Sequence, residues 1–357
     1  MNVIESSKLH NMSLKLLAIE SSCDETSAAV IEDGKKVLSN VVASQIDIHK
    51  EYGGVVPEIA SRMHVELIMP VVDKAINDSG TDRENLDAVA VTHGPGLIGA
   101  LMVGLSTAKA LAFGLNIPLV GVNHLEAHMS AVHLENQVKF PFVGLVVSGG
   151  HTSLYLVKSY TEFEMLGKTR DDAAGEAFDK AAKIMDLPYP GGVEIDKLAK
   201  EGNREAIDFP RPFMKSSTLD FSFSGIKTSV LYYLKKHPNP NDKELRDICA
   251  SYQEAIVETL VNKTLLAARE HNVESVVIAG GVACNSRLRE LSKEELEKEE
   301  VAVYIPSPKY CTDNAAMIGS LGGFMFQNQT TSELNLTPFS TSRPKYGRGR
   351  GGQAKSA

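Results

Sequence analysis

The sequence predicts an α/β fold that is built twice, as two similar lobes around a central cleft. Three observations predict this fold. Residues 14–42 have the layout strand, polar turn, strand, turn, strand, and residues 141–166 repeat it. Each half then continues with a buried strand, a glycine-rich turn, a helix and a further strand, at 86–124 and at 274–314. Alternation of buried strands with helices is typical of parallel sheets covered by helices.

The repeat begins in the two hairpins, whose turns are polar and rich in hydroxyl groups. When Ser22 is aligned with Ser148, Thr26 and Ser27 fall on Thr152 and Ser153. Such a repeat indicates that the two halves share one architecture. A duplicated, cleft-forming α/β plan is that of actin, Hsp70 and the sugar kinases, the ASKHA fold, and by analogy we expect it here.

The length of 357 residues is that of two domains rather than one core. We divide the chain into a flexible N-terminal extension at 1–13, a first lobe at 14–137, a second lobe at 138–330 and a C-terminal segment at 331–357. The second lobe carries a helical insertion at about 168–250, which includes "DDAAGEAFDKAAKIMDL" and the turn "PYPGG". The C-terminal segment ends in a glycine-rich basic tail that we expect to be disordered.

The composition is that of an ordinary soluble protein, with 43% hydrophobic and 23% charged residues. The N-terminus shows no signal-peptide pattern, and no stretch is expected to span a membrane. The four cysteines lie far apart without CxxC spacing, which is typical of a reducing cytoplasm rather than of a disulfide framework. Because the net charge is −8, a nucleic-acid substrate would have to be bound by local basic patches or with the help of partners.

Two histidines four residues apart occur in "GVNHLEAHMS". On a helix, His124 and His128 share one face, so their ring nitrogens can converge on one ion. Asp313 begins the corresponding helix of the second half, and the repeat predicts that it faces the pair across the cleft. Two imidazoles and a carboxylate are a site for Fe(II) or Zn(II) acting as a Lewis acid.

Two other interpretations of this motif remain open. The histidines are alternatively a solvated helix face, with Asp313 as the N-cap of its helix. A metallopeptidase is the sharper rival, but in HExxH the base directly follows the first ligand. Here Glu126 comes two residues after His124 and points roughly 200° round the helix from it, which disfavours peptidase chemistry.

Several glycine turns indicate a nucleotide on the other side of the cleft. "VVSGGHTS" and "IAGGVACN" each end a strand in two glycines, where backbone amides can approach a phosphate. "YPGGVEIDKLA" adds Asp196 as an acceptor for a ribose hydroxyl. Each turn alone has the commoner interpretation of a structural turn.

The turn "ESSCDETS" bears on the kind of reaction. Phosphotransferases of this architecture hold ATP phosphates at this turn. Here Asp24 and Glu25 occupy it, and two carboxylates would repel a triphosphate. A kinase function is therefore disfavoured.

Taken together, the motifs resemble a known family. "IESSCDETSAAV", "HGPGLIGALMVG", "VNHLEAHMSA", "VSGGHTSL", "DDAAGEAFDKAAK", "PYPGG", "IAGGVACN" and "CTDNAAMIG" are similar, in unbroken order from about Leu14 to Arg343, to the bacterial tRNA N6-adenosine threonylcarbamoyltransferases. The resemblance implies transfer of a threonylcarbamoyl group from threonylcarbamoyl-AMP to N6 of adenosine-37 in tRNAs that read ANN codons. The product is t6A, and AMP is released.

The resemblance also implies roles for individual residues. The metal, Fe(2+) with Zn(2+) as the alternative and one per subunit, is expected at His124, His128 and Asp313. The donor is expected to contact Val147, Ser148, Gly149, Gly150, His151, Asp179, Gly192, Asp196 and Asn285. We add the hypothesis that Asp24 or Glu25 positions or deprotonates the adenine amine.

The family works with a smaller inactive paralogue (TsaB-like) and a P-loop ATPase (TsaE-like), and the same partners are expected here, with no membrane. The tail cations Arg343, Lys345, Arg348 and Arg350 either touch tRNA phosphates or form a solvated tail. A non-catalytic scaffold is the remaining rival, but such a protein should lack the three metal ligands.

Overall fold

The computed structural model describes residues 13–214 and 216–341, which form two five-stranded sheets. In the first, the order is β3-β2-β1-β4-β5, and in the second β10-β9-β6-β7-β8. In each sheet three strands form an antiparallel meander and two more are added in parallel. The matching orders confirm the duplicated α/β fold predicted from the sequence repeat.

The first sheet and its helices come from the first 130 residues. The strands are β1 (Lys15–Glu20), β2 (Glu25–Glu32), β3 (Lys36–Ser44), β4 (Ala88–Gly94) and β5 (Leu119–Asn123). The helices are α1 (Ile46–Lys50), α2 (Pro57–Ser79), α3 (Ile98–Leu115) and α4 (His124–Ser130). β1 and β4 are buried along almost their whole length because α2 and α3 cover one face of the sheet and a helix near the end of the chain covers the other.

The second sheet contains β6 (Phe142–Val147), β7 (Thr152–Ser159), β8 (Glu162–Lys168), β9 (Ser275–Ala279) and β10 (Ala302–Tyr304). The helices are α5 (Ala174–Ile184), α6 (Gly191–Ala199), α7 (Ser224–Lys236), α8 (Asp242–Glu270), α9 (Ser286–Glu297), α10 (Pro308–Cys311) and α11 (Ala315–Gln327). The insertion between β8 and β9 is helical, and its last helix runs to Glu270, beyond the expected limit at about 250. α8 continues because its apolar face stays buried in the core of the second lobe.

Two helices pack on the sheet of the opposite half. α11, near the end of the chain, lies on the first sheet, where Ile318 and Leu321 join the core formed by Leu16 and Ala29. α4 lies against the second sheet through Leu125 and Met129. The division that we expected near residue 137 therefore separates the two sheets but not the helices that cover them.

The described part of the C-terminal segment, up to residue 341, returns to the first lobe. The Ser332 amide donates to Leu119 O (2.7 Å), and the Phe339 amide donates to His93 O (3.0 Å). Lys109 Nζ donates to Leu336 O at 2.6 Å. Residues 1–12 of the expected extension lie outside the described residues, and so do the tail residues Arg343, Lys345, Arg348 and Arg350.

One expectation about hydropathy needs correction. α3 has a mean hydropathy of 1.6 over 18 residues, so it is long and apolar enough to cross a membrane by length and composition. Three glycines, Ser106, Thr107 and Lys109 interrupt the apolar residues of this helix. In the structure α3 packs through Leu105 and Ala108 on the first sheet, and a third of the stretch is buried.

Candidate metal centre

The two histidines lie at the start of α4, where β5 ends. Asn123 caps this helix because its side-chain oxygen accepts hydrogen bonds from the Leu125 and Glu126 amides at 2.9 and 3.3 Å. The helix therefore begins at His124, and His128 follows one turn later on the same face. His124 is 4% exposed and His128 is fully buried.

Asp313 reaches the histidines from the loop between α10 and α11. The N-cap of α11 is Asn314, whose side chain accepts from the Met317 amide at 3.2 Å. The alternative in which Asp313 is the helix N-cap is therefore wrong: the neighbouring residue has that role. The Asp313 carboxylate is left to face the imidazoles.

The three side chains converge. Asp313 Oδ1 lies 3.1 Å from His128 Nε2 and 3.7 Å from His124 Nε2. The two rings are 4.7 Å apart between centroids and nearly perpendicular. One possible ligand atom from each of the three residues lies within 4.8 Å of the ligand atoms of the other two. This is the spacing of donors that share one ion, and the repeat had predicted which three residues would meet.

The donor set fits a metal ion. Both ring nitrogens of His128 are buried, and among the residues that the structure describes neither forms a well-aligned hydrogen bond, although Asp313 Oδ1 lies 3.1 Å from Nε2. Buried ring nitrogens without partners are costly unless something else binds them. Two imidazoles and a carboxylate with remaining open positions suit Fe(II) or Zn(II).

The charges of the centre are strongly coupled. Burial alone lowers the pKa of His124, but the carboxylates of Asp313 and Glu20 outweigh burial and raise it to about 9. Burial alone raises the pKa of Asp313, but the imidazoles of His124 and His128 outweigh burial and hold it well below its usual range. The two carboxylates thus favour positive charge at His124, and a metal ion that binds there must displace the proton of this ring.

The turn that carries Asp24 and Glu25 lies within electrostatic reach of Asp313. Burial, then the charge of Asp24, then that of Asp313 raise the pKa of Glu25 well above its ordinary value. His64, on α2, fixes this turn: its Nε2 lies 2.9 Å from Cys23 O and its Nδ1 lies 2.7 Å from Thr26 Oγ1. Burial lowers the pKa of His64, so the ring is neutral, with Nε2 donating and Nδ1 accepting.

The turn at 147–151 closes on itself and exposes its glycines. The Ser148 amide donates to His151 O (2.8 Å), and the His151 amide donates to Ser148 Oγ (3.2 Å). A Cβ on Gly149 or Gly150 would meet no atom of the described residues within 4 Å, and both glycines are exposed, so the turn is open on that side. The His151 ring is 6.4 Å from that of His124, and burial, then the charge of His124, lower its pKa to about 4.

The four remaining donor-site predictions lie on α5, on α6 and at the N-cap of α9, and three of these side chains already have protein partners. Asp179 accepts from the Gly191 amide at 2.8 Å, next to Gly192. Asp196 accepts from the Ser286 amide and hydroxyl at 3.1 and 2.7 Å. Asn285 caps α9 through the Leu288 amide and donates to Gln253. These bonds connect α5 to α6 and α6 to α9, so the four residues lie along one continuous edge.

Glu126 has surroundings that bear on the peptidase alternative. It follows His124 by two positions, and its charge contributes, after burial, to raising the pKa of Tyr155 on β7. A carboxylate near Tyr155 on the second sheet is not arranged as the base of an HExxH site, where the acid flanks the first ligand.

Sequence reasoning missed two polar residues of the centre. Glu20 ends an otherwise apolar strand, "KLLAIE", and is fully buried beside His124. His64 lies on the buried face of α2. The one local signal was an acid at the end of a buried strand, since buried acids are rare unless they are paired.

Comparisons with known proteins agree with this geometry. A family model described as TsaD, tRNA N6-adenosine threonylcarbamoyltransferase, matches residues 36–320. A protein of that name from Anaeromyxobacter dehalogenans (strain 2CP-C) is 59% identical over 328 residues, which are 91% of this chain and 98% of the relative. One from Syntrophus aciditrophicus (strain SB) is 55% identical, over 91% of this chain and 96% of the relative.

Solved structures of lower identity share the fold. Full-length HypF in its phosphate- and nucleotide-bound form has a TM-score of 0.63 at 14% identity, over 89% of this chain and 56% of that one. Component A of the (R)-2-hydroxyglutaryl-CoA dehydratase of Acidaminococcus fermentans has a TM-score of 0.52 at 18% identity, over 88% of this chain and 97% of that one. At these identities the likeness supports the two-lobed fold alone.

Proposed function

The chain belongs to the family of tRNA N6-adenosine threonylcarbamoyltransferases, and from this premise we propose that the centre formed by His124, His128 and Asp313 is where its transfer reaction takes place. The enzyme forms t6A on tRNA. The single observation that carries the proposal is the convergence of these three side chains, with the buried His128 ring nitrogens having no other partner in the described part of the chain.

The reaction transfers the threonylcarbamoyl group, and its carbamoyl carbon is the atom that is attacked. N6 of the adenosine attacks this carbon of threonylcarbamoyl-AMP, the bond from the carbon to the phosphate oxygen breaks, and AMP leaves with the electron pair. A mixed anhydride is needed because the lone pair of the adenine amine is delocalised into its ring. A metal ion bound at this centre would be a Lewis acid that stabilises charge on the donor oxygens. We propose Fe(2+) as that ion, with Zn(2+) as the alternative.

The protein residues divide the remaining work. Gly149 and Gly150 are exposed, and their amides bind the phosphate of the donor. Val147, Ser148 and His151 shape the same turn. Asp179, Gly192, Asp196 and Asn285 lie along the edge where the nucleoside part of the donor binds, and their existing hydrogen bonds hold that edge rigid.

Glu25, with Asp24 beside it, is the proposed acceptor of the proton that the amine loses. A general base works best when its pKa lies near the working pH, and burial and its acidic neighbours raise that of Glu25. His64 holds the backbone of the same turn, so the carboxylate is presented in a fixed position.

The proposed partners are the tRNA, the smaller paralogue and the P-loop ATPase. An apolar surface on α2 and α3 supports the paralogue as a binding partner. On this surface Phe113 is 76% exposed, Val65 is 65% exposed and Met102 is 53% exposed. Large exposed apolar side chains on two neighbouring helices are typical of a protein interface. We infer that the paralogue packs there. A tRNA substrate further implies work in the cytoplasm.

The test is nucleoside mass analysis after incubation with unmodified tRNA, threonylcarbamoyl-AMP and the partner proteins. We expect His128→Ala to form little t6A and to lose bound metal. His133→Phe is the matched control, because this buried histidine lies outside the centre. Full-speed t6A formation by His128→Ala, or by wild-type protein freed of metal, would contradict the proposal.

A further inference from the structure

A fully buried carboxylate stands behind the candidate metal centre. Glu20 ends β1 and is 0% exposed. Three donors point at it: the Ser22 amide at 2.5 Å on Oε1, and the Thr92 hydroxyl at 2.5 Å and His124 Nδ1 at 3.1 Å on Oε2. Both oxygens therefore accept hydrogen bonds, and one of the three donors is a candidate metal ligand.

A buried carboxylate is costly unless it is paired. Among residues 13–214 and 216–341, no lysine or arginine forms an ion pair with Glu20, and its one ion-pair contact is with His124. The contact between Glu20 Oε2 and His124 Nδ1 at 3.1 Å therefore links this carboxylate directly to the candidate metal centre.

We propose that Glu20 is a positioning residue, which accepts the Nδ1 proton of His124 and so turns the lone pair of His124 Nε2 toward Asp313 and the metal. This inference rests on the proposed function of the centre. His124 Nε2 lies 3.7 Å from Asp313 Oδ1, on the opposite side of the ring from Glu20. A carboxylate on the far nitrogen fixes the tautomer of a ligating histidine, orients its ring and makes it a stronger ligand.

The effect is confined to one of the two histidines. His128 Nδ1 is buried and has no hydrogen-bond partner within 13–214 and 216–341, so no described residue orients the second imidazole in a comparable way. Ser22 Oγ, 3.2 Å from His124 Nδ1, is a second neighbour of the same nitrogen. Loss of Glu20 should consequently weaken metal binding while the other two ligands keep the site in place.

Glu20→Gln removes the charge with little change in volume. Both carboxylate oxygens of Glu20 accept hydrogen bonds. In either orientation of the glutamine amide, the NH2 group therefore faces a donor that it cannot accept from. When the NH2 group faces the Ser22 amide, that hydrogen bond is lost. When it faces His124, the ring must carry its proton on Nε2, and that tautomer cannot bind the metal.

The experiment measures how fast zinc leaves the protein. Wild-type and Glu20→Gln protein are loaded with Zn(II), mixed with excess chelator, and the release rate is recorded. Second-shell changes cost about 10- to 100-fold in metal affinity, so we expect release to be about 10- to 100-fold faster. A release rate is measured from the zinc-loaded protein. Unlike an affinity, it therefore does not depend on how many protons the metal-free ligands bind.

Glu254→Gln is the matched control. Glu254 is a second buried carboxylate, 7% exposed, which pairs with Arg287 Nε and Nη2 at 2.8 Å each. Loss of this carboxylate should lower the stability of the fold without removing a contact of the candidate metal ligands. Zinc release from Glu254→Gln should therefore stay at the wild-type rate. A release rate of Glu20→Gln equal to that of wild type would overturn the inference.

Two further outcomes are distinguishable. Wild-type protein that retains no zinc would contradict the metal centre itself, and with it the proposed function. If Glu20→Gln does not fold, Thr92→Val decides, because it removes the hydroxyl that holds the same Oε2. Faster release from Thr92→Val supports the positioning role, and an unchanged rate overturns it.

Discussion

Replacement of Gly280 by alanine should be strongly destabilising. Gly280 links β9 to the turn at Gly281–Cys284 with φ 98° and ψ 164°, a conformation that is essentially restricted to glycine. A Cβ there would also overlap the backbone of Val147, at the end of β6. Backbone strain of this kind costs about 1–3 kcal/mol, and Val147 must move as well, so we expect a loss of about 3 kcal/mol or more. That is a large part of a typical unfolding free energy of about 5–15 kcal/mol.

Urea unfolding followed by circular dichroism measures the change, with the slope compared between variants because two lobes can unfold separately. The adjacent Gly281→Ala is the matched control: its Cβ meets no atom within 4 Å, and we expect a change within about 1 kcal/mol. Since Val147 leads into the proposed phosphate turn, folded Gly280→Ala should also bind the donor more weakly. Equal stability of the two variants would refute the reasoning.

Three other predictions concern the base, a buried histidine and the partner surface. Glu25→Gln should slow threonylcarbamoyl transfer by about 100-fold or more while donor binding stays unchanged; an unchanged transfer rate would remove Glu25 as the base. The pKa of His133 falls to about 4, because the ring is buried and Lys35 is near. As the pH drops below 6.5, the unfolded chain therefore binds a proton at His133 that the folded protein does not bind, and this destabilises the fold. Between pH 7.5 and 5, the free energy of unfolding measured in urea should fall by about 2 kcal/mol more for the wild type than for His133→Phe. Phe113→Glu should weaken the complex with the paralogue by about tenfold or more in sedimentation, whereas Val193→Glu, exposed on α6, should not.

The parts of the fold with a local pattern were predictable from the sequence. Buried strands, glycine turns and hydroxyl-rich hairpins recur in both halves, and the repeat then specified which loop of the second half corresponds to the start of α4. For that reason Asp313 was paired with His124 and His128 although almost two hundred positions separate them in the chain.

Features that depend on long-range packing were not predictable. The apolar sequence of α11 shows that the helix is buried, but not that the first sheet is one of the surfaces that bury it. The same holds for Glu20 and His64, whose importance comes from what they touch across the fold. Capping was ambiguous at 313–314 because aspartate and asparagine are equally good N-caps, and the choice between them depends on where the imidazoles lie.

The position of α11 has a consequence for the order in which the polypeptide matures. One face of the first sheet, including Leu16, Ala18 and Ala90, is covered by a helix that a ribosome makes only after the whole of the second sheet. The half that is synthesised first is thus completed last. Asp313 directly precedes that helix, so the proposed metal centre can be completed only after the second sheet has been synthesised.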